Sequence, residues 1–142
     1  MNYSKSLILL TIMLILLPCG LLAFNNEPDG YDGIQWGTGI STLKNMKYVK
    51  TDPSDSSLVI YTKEGDAFRL GNAILKSSEY GFIDGKFSFV TMKVENLFNY
   101  VALKDAVIEK FGEGTGFDQH SERYYWDGST TRITLVSAFD LS

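Results

Sequence analysis

The stretch Tyr80-Gly81-Phe82-Ile83-Asp84-Gly85-Lys86-Phe87-Ser88-Phe89 constrains the fold more than any other. Asp-Gly between two alternating apolar runs predicts a two-residue type I′ hairpin, because that turn needs φ > 0 at both central positions. With Asp84 and Gly85 as the turn, Ile83 faces Lys86, Phe82 faces Phe87 and Tyr80 faces Phe89. Side chains alternate across a strand, so this register puts all four aromatic rings on one face. The opposite face then carries Ser77, Glu79, Ser88, Val90 and Met92. Such a hairpin commits the chain to an antiparallel sheet with at least one face to cover.

A cover is available downstream. Tyr100, Leu103, Val107 and Phe111 recur at helical spacing and predict a helix from Asn99 to Phe111. Asn99 is its expected cap and Gly112 its expected αL stop, with the aromatic face of the hairpin beneath it. Upstream, Thr38 or Ser41 is placed to cap a short helix reaching Met46, with Ile40, Leu43 and Met46 on one side. Lys47–Lys50 reads as a short strand. Two more hairpins are expected: Leu58–Thr62 with Asp66–Leu70 around Glu64-Gly65, placing Tyr61 opposite Phe68, and Glu122–Trp126 with Thr130–Ser137 around Asp127-Gly128. The fold class is α+β: an antiparallel sheet of hairpins, roughly six to eight strands, with one long and one short helix packed against it.

Residues 1–23 stand apart. A polar start with Lys5, an apolar run from Leu7 to Leu17 broken only by Thr11, then Pro18, Gly20 and the small Ala23 form a secretory signal-peptide layout. The run is shorter than the ~20 residues of a membrane span. The domain reading is therefore a signal peptide over 1–23, a polar linker over 24–33 and a single α+β domain over 34–142, exported to the periplasm or secreted. Cys19 opens an alternative: Leu16-Leu17-Pro18-Cys19 resembles a lipoprotein box, with Pro18 where that pattern has a small residue, and would anchor the chain at the membrane.

Composition removes several function classes. Cys19 is the only cysteine and His120 the only histidine, so the domain has no internal disulfide, thiolate zinc site, cysteine nucleophile or multi-histidine metal site. The net charge is −4, and losing Lys5 with the leader makes the remainder more negative. An acidic chain without a basic cluster is a poor nucleic-acid binder, and membrane contact is expected only through an uncleaved or lipidated N-terminal segment. No cofactor is called for. Gly37-Thr38-Gly39 and Glu113-Gly114-Thr115-Gly116 lack a phosphate-loop lysine, and the second follows a helix end of the wrong polarity for anions. Glu27, Asp29 and Asp32 lack the spacing of a calcium loop. His120 beside Ser121 is a loop pair without a nucleophile elbow.

The expectation is thus no enzyme, with a small hydrolase built on the loop carboxylates Asp52/Asp55 or Glu113/Asp118 as the alternative. The leading function is a non-catalytic binding or protein-interaction module, its partner another envelope protein or a small ligand. Tyr124, Tyr125 and Trp126 are its candidate binding residues: alternation puts two rings on one face of a strand and one on the other, so one face is core and the other a stacking platform.

Gly33-x-x-Trp36-Gly37-Thr38-x-Ile40, followed by Leu43, Leu103, Phe111-Gly112, Tyr125-Trp126 and a Thr/Ile-rich last strand, resembles a functionally uncharacterised family of small exported bacterial proteins. The resemblance implies structural roles, namely turn glycines, a buried tryptophan and a helix stop, and no catalytic residue. It also implies a chain that continues past the last strand. In architecture alone the order is similar to beta-lactamase-inhibitor-like proteins and small outer-membrane assembly lipoproteins.

Overall fold

The computed structural model describes residues 24, 26–118 and 123–137. Residues 1–23, with Cys19 among them, and His120 lie outside them.

The Asp84-Gly85 turn forms as its sequence demands, with φ of 49° and 72°. It joins β7 (Ser77–Ile83) to β8 (Lys86–Lys93), and Ile83 pairs with Lys86 and Phe82 with Phe87. Beyond that the expected register fails. A β-bulge between Gly81 and Phe82 sets Gly81 against Phe89 and Tyr80 against Val90. One extra residue exchanges the faces of everything that follows it. Tyr80, Phe82 and Phe87 therefore share a face with Val90, while Phe89 crosses to the other side. Phe89 lies flat over Gly81, its ring as close as 2.2 Å to where a Cβ on Gly81 would stand. Only glycine leaves room for that ring.

β7 and β8 belong to a four-stranded sheet of order β3-β4-β7-β8, with β3 at Met46–Thr51 and β4 at Leu58–Lys63. All neighbours are antiparallel. β4 does not turn back at Glu64-Gly65 to pair with Asp66–Leu70. Its partners are β3 on one side and β7 on the other, with Tyr61 between Tyr48 and Tyr80. Phe68, expected opposite Tyr61, sits at φ 47° and is exposed. The residues after it form a separate small hairpin, β5 (Arg69–Leu70) with β6 (Ala73–Ile74). β3 is an open edge, and its two lysines and its bulge between Tyr48 and Lys50 keep other strands from adding there.

The helix α1 spans Leu97–Phe111. Asn96, not Asn99, is its cap: the Asn96 carboxamide accepts from the Asn99 amide at 2.9 Å. Asn99 instead accepts from the Ile74 amide at 2.9 Å, tying the helix to β6. Gly112 ends the helix at φ 81° and ψ −173°, a glycine region but extended rather than αL. The short helix shrinks to one 3-10 turn, Ile40–Thr42, with no side-chain cap, and Met46 belongs to β3. A last antiparallel sheet has the order β11-β10-β9, with β9 at Gly116–Asp118, β10 at Arg123–Asp127 and β11 at Arg132–Val136.

Among the described residues the strands thus divide among four antiparallel sheets, where the sequence suggested one. Among the described residues sheet dominates, with α1 the single α-helix. Two apolar clusters result. In one, Leu103, Val107 and Phe111 of the expected helical stripe pack on Phe24, Ala73, Leu75, Trp126 and Leu135. In the other, Tyr80, Phe82 and Phe87 pack under Ile34, Tyr31, Trp36, Ile40 and Leu43.

The helix therefore does not cover the aromatic hairpin. It starts after β8 has run back from its tip, ~20 Å away at strand rise. The N-terminal hairpin, β1 (Gly30–Tyr31) with β2 (Ile34–Gln35), supplies the cover instead. Residues 37–40 then run along the tip of β8, where the Gly37 and Phe87 amides donate to the Phe87 and Thr38 carbonyls at 2.8 and 2.9 Å.

Candidate functional site

With the N-terminal hairpin on one face of the four-stranded sheet, the other face is left without a second layer among the described residues. Register places Leu58 and Ile60 of β4, Ile83 of β7 and Phe89 of β8 there, as one apolar stripe across three strands. Ile60 is 6% exposed although it belongs to neither cluster. Phe89 and Leu58 are half-buried and Ile83 is exposed. Lys47, Lys50, Lys86 and Lys93 frame the stripe on the same face, with Glu79 as the one acid. Glu79 is bridged to Lys93 at 3.6 Å. On a chain of net charge −4, this face is locally cationic. The bulge builds it: without the extra residue Phe89 would join the other aromatics, and Val90 and Met92 would lie here. The expected content of this face, Ser88, Val90 and Met92, is corrected accordingly. Of that expected set, Glu79 and Ser77 remain.

The Tyr124-Tyr125-Trp126 run divides as alternation requires. Tyr124 pairs with Leu135 and Trp126 with Ile133, facing the helix-side cluster. Trp126 is completely buried, and its indole N–H donates to the Gly112 carbonyl at 2.8 Å. It has no surface to offer a ligand. Tyr124 is half-buried between Phe117, 4.6 Å away ring to ring, and Lys104, whose Nζ donates to its hydroxyl at 2.8 Å. Tyr125 lies on the other face beside the Arg132 guanidinium. The ring with open surface here is Phe117, 53% exposed, which pattern reading passed over because β9 is only three residues long.

The loop carboxylates close turns. Asp52 Oδ1 accepts from the Ser54 amide and hydroxyl, and Asp55 Oδ1 from those of Ser57. Two carboxylates do converge elsewhere. The Tyr80 hydroxyl donates to Asp66 at 2.9 Å and approaches Asp32 at 3.5 Å, while Lys63 bonds Asp32. Burial, then Asp66, raises the Tyr80 hydroxyl far above its ordinary range, so it remains a donor. Its ring is wholly buried, and the group fastens β1–β2 to the sheet. Beside it residues 29–35 line a shallow, open hollow of about 300 Å³. Among the described residues no group of histidine, cysteine or carboxylate side chains is arranged to hold a metal ion.

Residues 24 and 26–33, in the stretch that composition marks as linker, are seated in the fold. Phe24 is buried edge-on against Phe111, and Glu27 reaches the loop between β10 and β11. The Thr130 amide, then the Ser129 hydroxyl and amide, hold the Glu27 carboxyl down at about 2 from its usual 4.5. A depressed carboxylate stabilises the fold above its unfolded pKa and loses that contribution as pH falls through the folded one. The melting-temperature gap between wild type and Glu27→Gln is accordingly expected to be widest above pH 4.5 and to close toward pH 2. A gap that stays constant across that range would mean the charge of Glu27 is irrelevant to stability.

Comparison with family models, with curated proteins and with solved structures finds no match to this chain.

Proposed function

We propose that this chain is an exported, non-catalytic binding module of the bacterial cell envelope. Its open sheet face receives an acidic, apolar-bearing segment of another envelope protein. The observation that carries this reading is the stripe of Leu58, Ile83 and Phe89 around the buried Ile60, framed by four lysines on an otherwise acidic chain. Apolar side chains with no second layer supply contact area, and the lysine frame selects negative partners and speeds their approach. The signal-peptide layout of residues 1–23 supports the envelope as its place of work. Among the described residues no helix is long and apolar enough to cross a membrane. Membrane contact in this reading runs only through the N-terminal segment.

The test is a photoreactive residue at Thr91 on the open face, with Val101 on α1 as control position. An adduct of one defined size is expected from Thr91 and not from Val101. It should disappear when Lys47, Lys50 and Lys86 are changed to glutamate. Equal yields at both positions, or an adduct indifferent to charge reversal, would remove the open face as the binding surface. Intact mass of the exported chain is a separate readout: a free N-terminus at Phe24 would exclude an anchor at Cys19.

A further inference from the structure

Glu27 is held by an arrangement that is more than a surface contact. Its Oε2 accepts from the Ser129 amide and hydroxyl, both at 2.8 Å. Its Oε1 accepts from the Thr130 amide at 2.6 Å, the Thr130 hydroxyl at 3.0 Å and the Thr131 amide at 2.6 Å. Three consecutive backbone N–H groups and two hydroxyls thus converge on the two oxygens of one carboxylate, more than a hundred residues away in sequence. Successive amides turned to one side form a nest, a concavity for anions. Gly128 opens the entrance: a Cβ there would lie 2.4 Å from the Glu27 carboxyl.

The loop also has bonds of its own that do not involve Glu27. The Gly128 amide donates to the Thr131 carbonyl at 2.8 Å, closing the turn. Arg132 and Asp127 are bridged at 2.5 Å across its base, and the Asp127 amide donates to the Thr115 hydroxyl at 2.9 Å. These bonds act on the two ends and the base of the loop independently of the carboxylate. Ser129 and Thr130 are exposed, so the nest is reached directly from solvent. All five donors are neutral, which suits a planar monoanion with two oxygens better than a polyanion.

We propose that the Gly128–Thr131 loop is a carboxylate-binding site, occupied in the resting chain by Glu27 and open to a carboxylate from another molecule. It is independent of the open sheet face. Exchange has a structural consequence. Glu27 lies between Phe24, seated on Phe111, and Pro28, whose carbonyl accepts from the Trp36 indole at 2.9 Å and the Thr131 hydroxyl at 3.1 Å. This segment joins the two apolar clusters, so a carboxylate that displaces Glu27 loosens the joint between them.

The experiment is an amide NMR titration of the full chain with sodium acetate at constant ionic strength, chloride making up the balance. In Glu27→Ala, the Ser129, Thr130 and Thr131 amides are expected to shift saturably with acetate and to ignore chloride. In the wild type the tethered Glu27, already seated by five hydrogen bonds, competes from within the chain, so the same shifts should need at least about tenfold more acetate. Should Glu27→Ala fail to fold, Glu27→Gln keeps the side chain's shape and is expected to show the same three shifts. No saturable response in either variant would overturn the proposal, as would tighter binding of inorganic phosphate than acetate. Loss of the β10–β11 cross-strand contacts in a folded Glu27→Ala would overturn it too, by showing that Glu27 builds the loop and does not merely fill it.

Discussion

Replacing Trp126 by alanine is expected to lower the stability of the domain by about 3–5 kcal/mol, the range for deleting a large buried ring. Trp126 is completely buried where β10, α1 and β6 meet, among Leu103, Val107, Ala73 and Leu135. Two effects combine. Alanine leaves a void that strands of two different sheets and a helix cannot jointly close. It also strips the Gly112 carbonyl of the indole N–H that satisfies it at 2.8 Å, at the point where the helix ends. Trp126→Phe separates the two, because it keeps most of the volume and loses only the donor, an expected cost of about 1–3 kcal/mol. A domain of this size has roughly 5–15 kcal/mol in all. The alanine variant should therefore be folded only marginally at 37 °C. Urea unfolding followed by far-ultraviolet circular dichroism measures both. A loss below about 1 kcal/mol for the alanine variant would mean that the cluster repacks freely around the gap.

The elements legible in the sequence were those specified locally. The Asp84-Gly85 turn and the α1 stripe are written in neighbouring residues, and both form. What escaped was set by contacts distant along the chain. Alternation around Glu64-Gly65 fits a hairpin, yet β4 gains a partner on each side by pairing with β3 and β7. The bulge at Gly81 has no composition of its own, since Phe-Ser-Phe reads as plain alternation. Its signal was a glycine inside the apolar end of a strand, which makes sense only once Phe89 on the adjacent strand is seen covering Gly81. Glu27 was hidden for another reason. Polar, turn-rich composition describes both a linker and a strap, and only the loop at Ser129–Thr131 distinguishes them. The open face was anticipated from the hairpin, but the bulge decided which residues stand on it. Alternation separated Tyr124 and Trp126 from Tyr125 but left open which side is core, and the exposed neighbour Phe117 came from a strand too short to show a period.

Phe87→Ala carries the other large effect, again about 3–5 kcal/mol, but from the opposite cluster. Phe87 is 1% exposed, with ring centroids 4.8 Å from Trp36, 5.4 Å from Phe82 and 5.9 Å from Tyr80. It is one of the contacts that seat residues 31–43 on the sheet, beside the Tyr31–Tyr80 ring pair. Aromatic neighbours of this kind add to one another beyond their buried area, so the cost should sit at the upper end of the range. The two tryptophans make the effect local as well as large, because one stands in each cluster. The Trp36 indole, bonded to the Pro28 carbonyl at 2.9 Å, has Phe87 beneath it. Removing that ring withdraws its ring current and frees Trp36 to tilt, so the Trp36 indole resonance should move. The Trp126 indole, bonded to Gly112 in the helix-side cluster, should hold its place. Movement of both would show that the clusters respond as one packed body, and the joint through Glu27 and Pro28 would then be rigid and not a seam. Movement of Trp36 alone places the boundary between the two halves along residues 24–36, the segment whose carboxylate the β10–β11 loop holds.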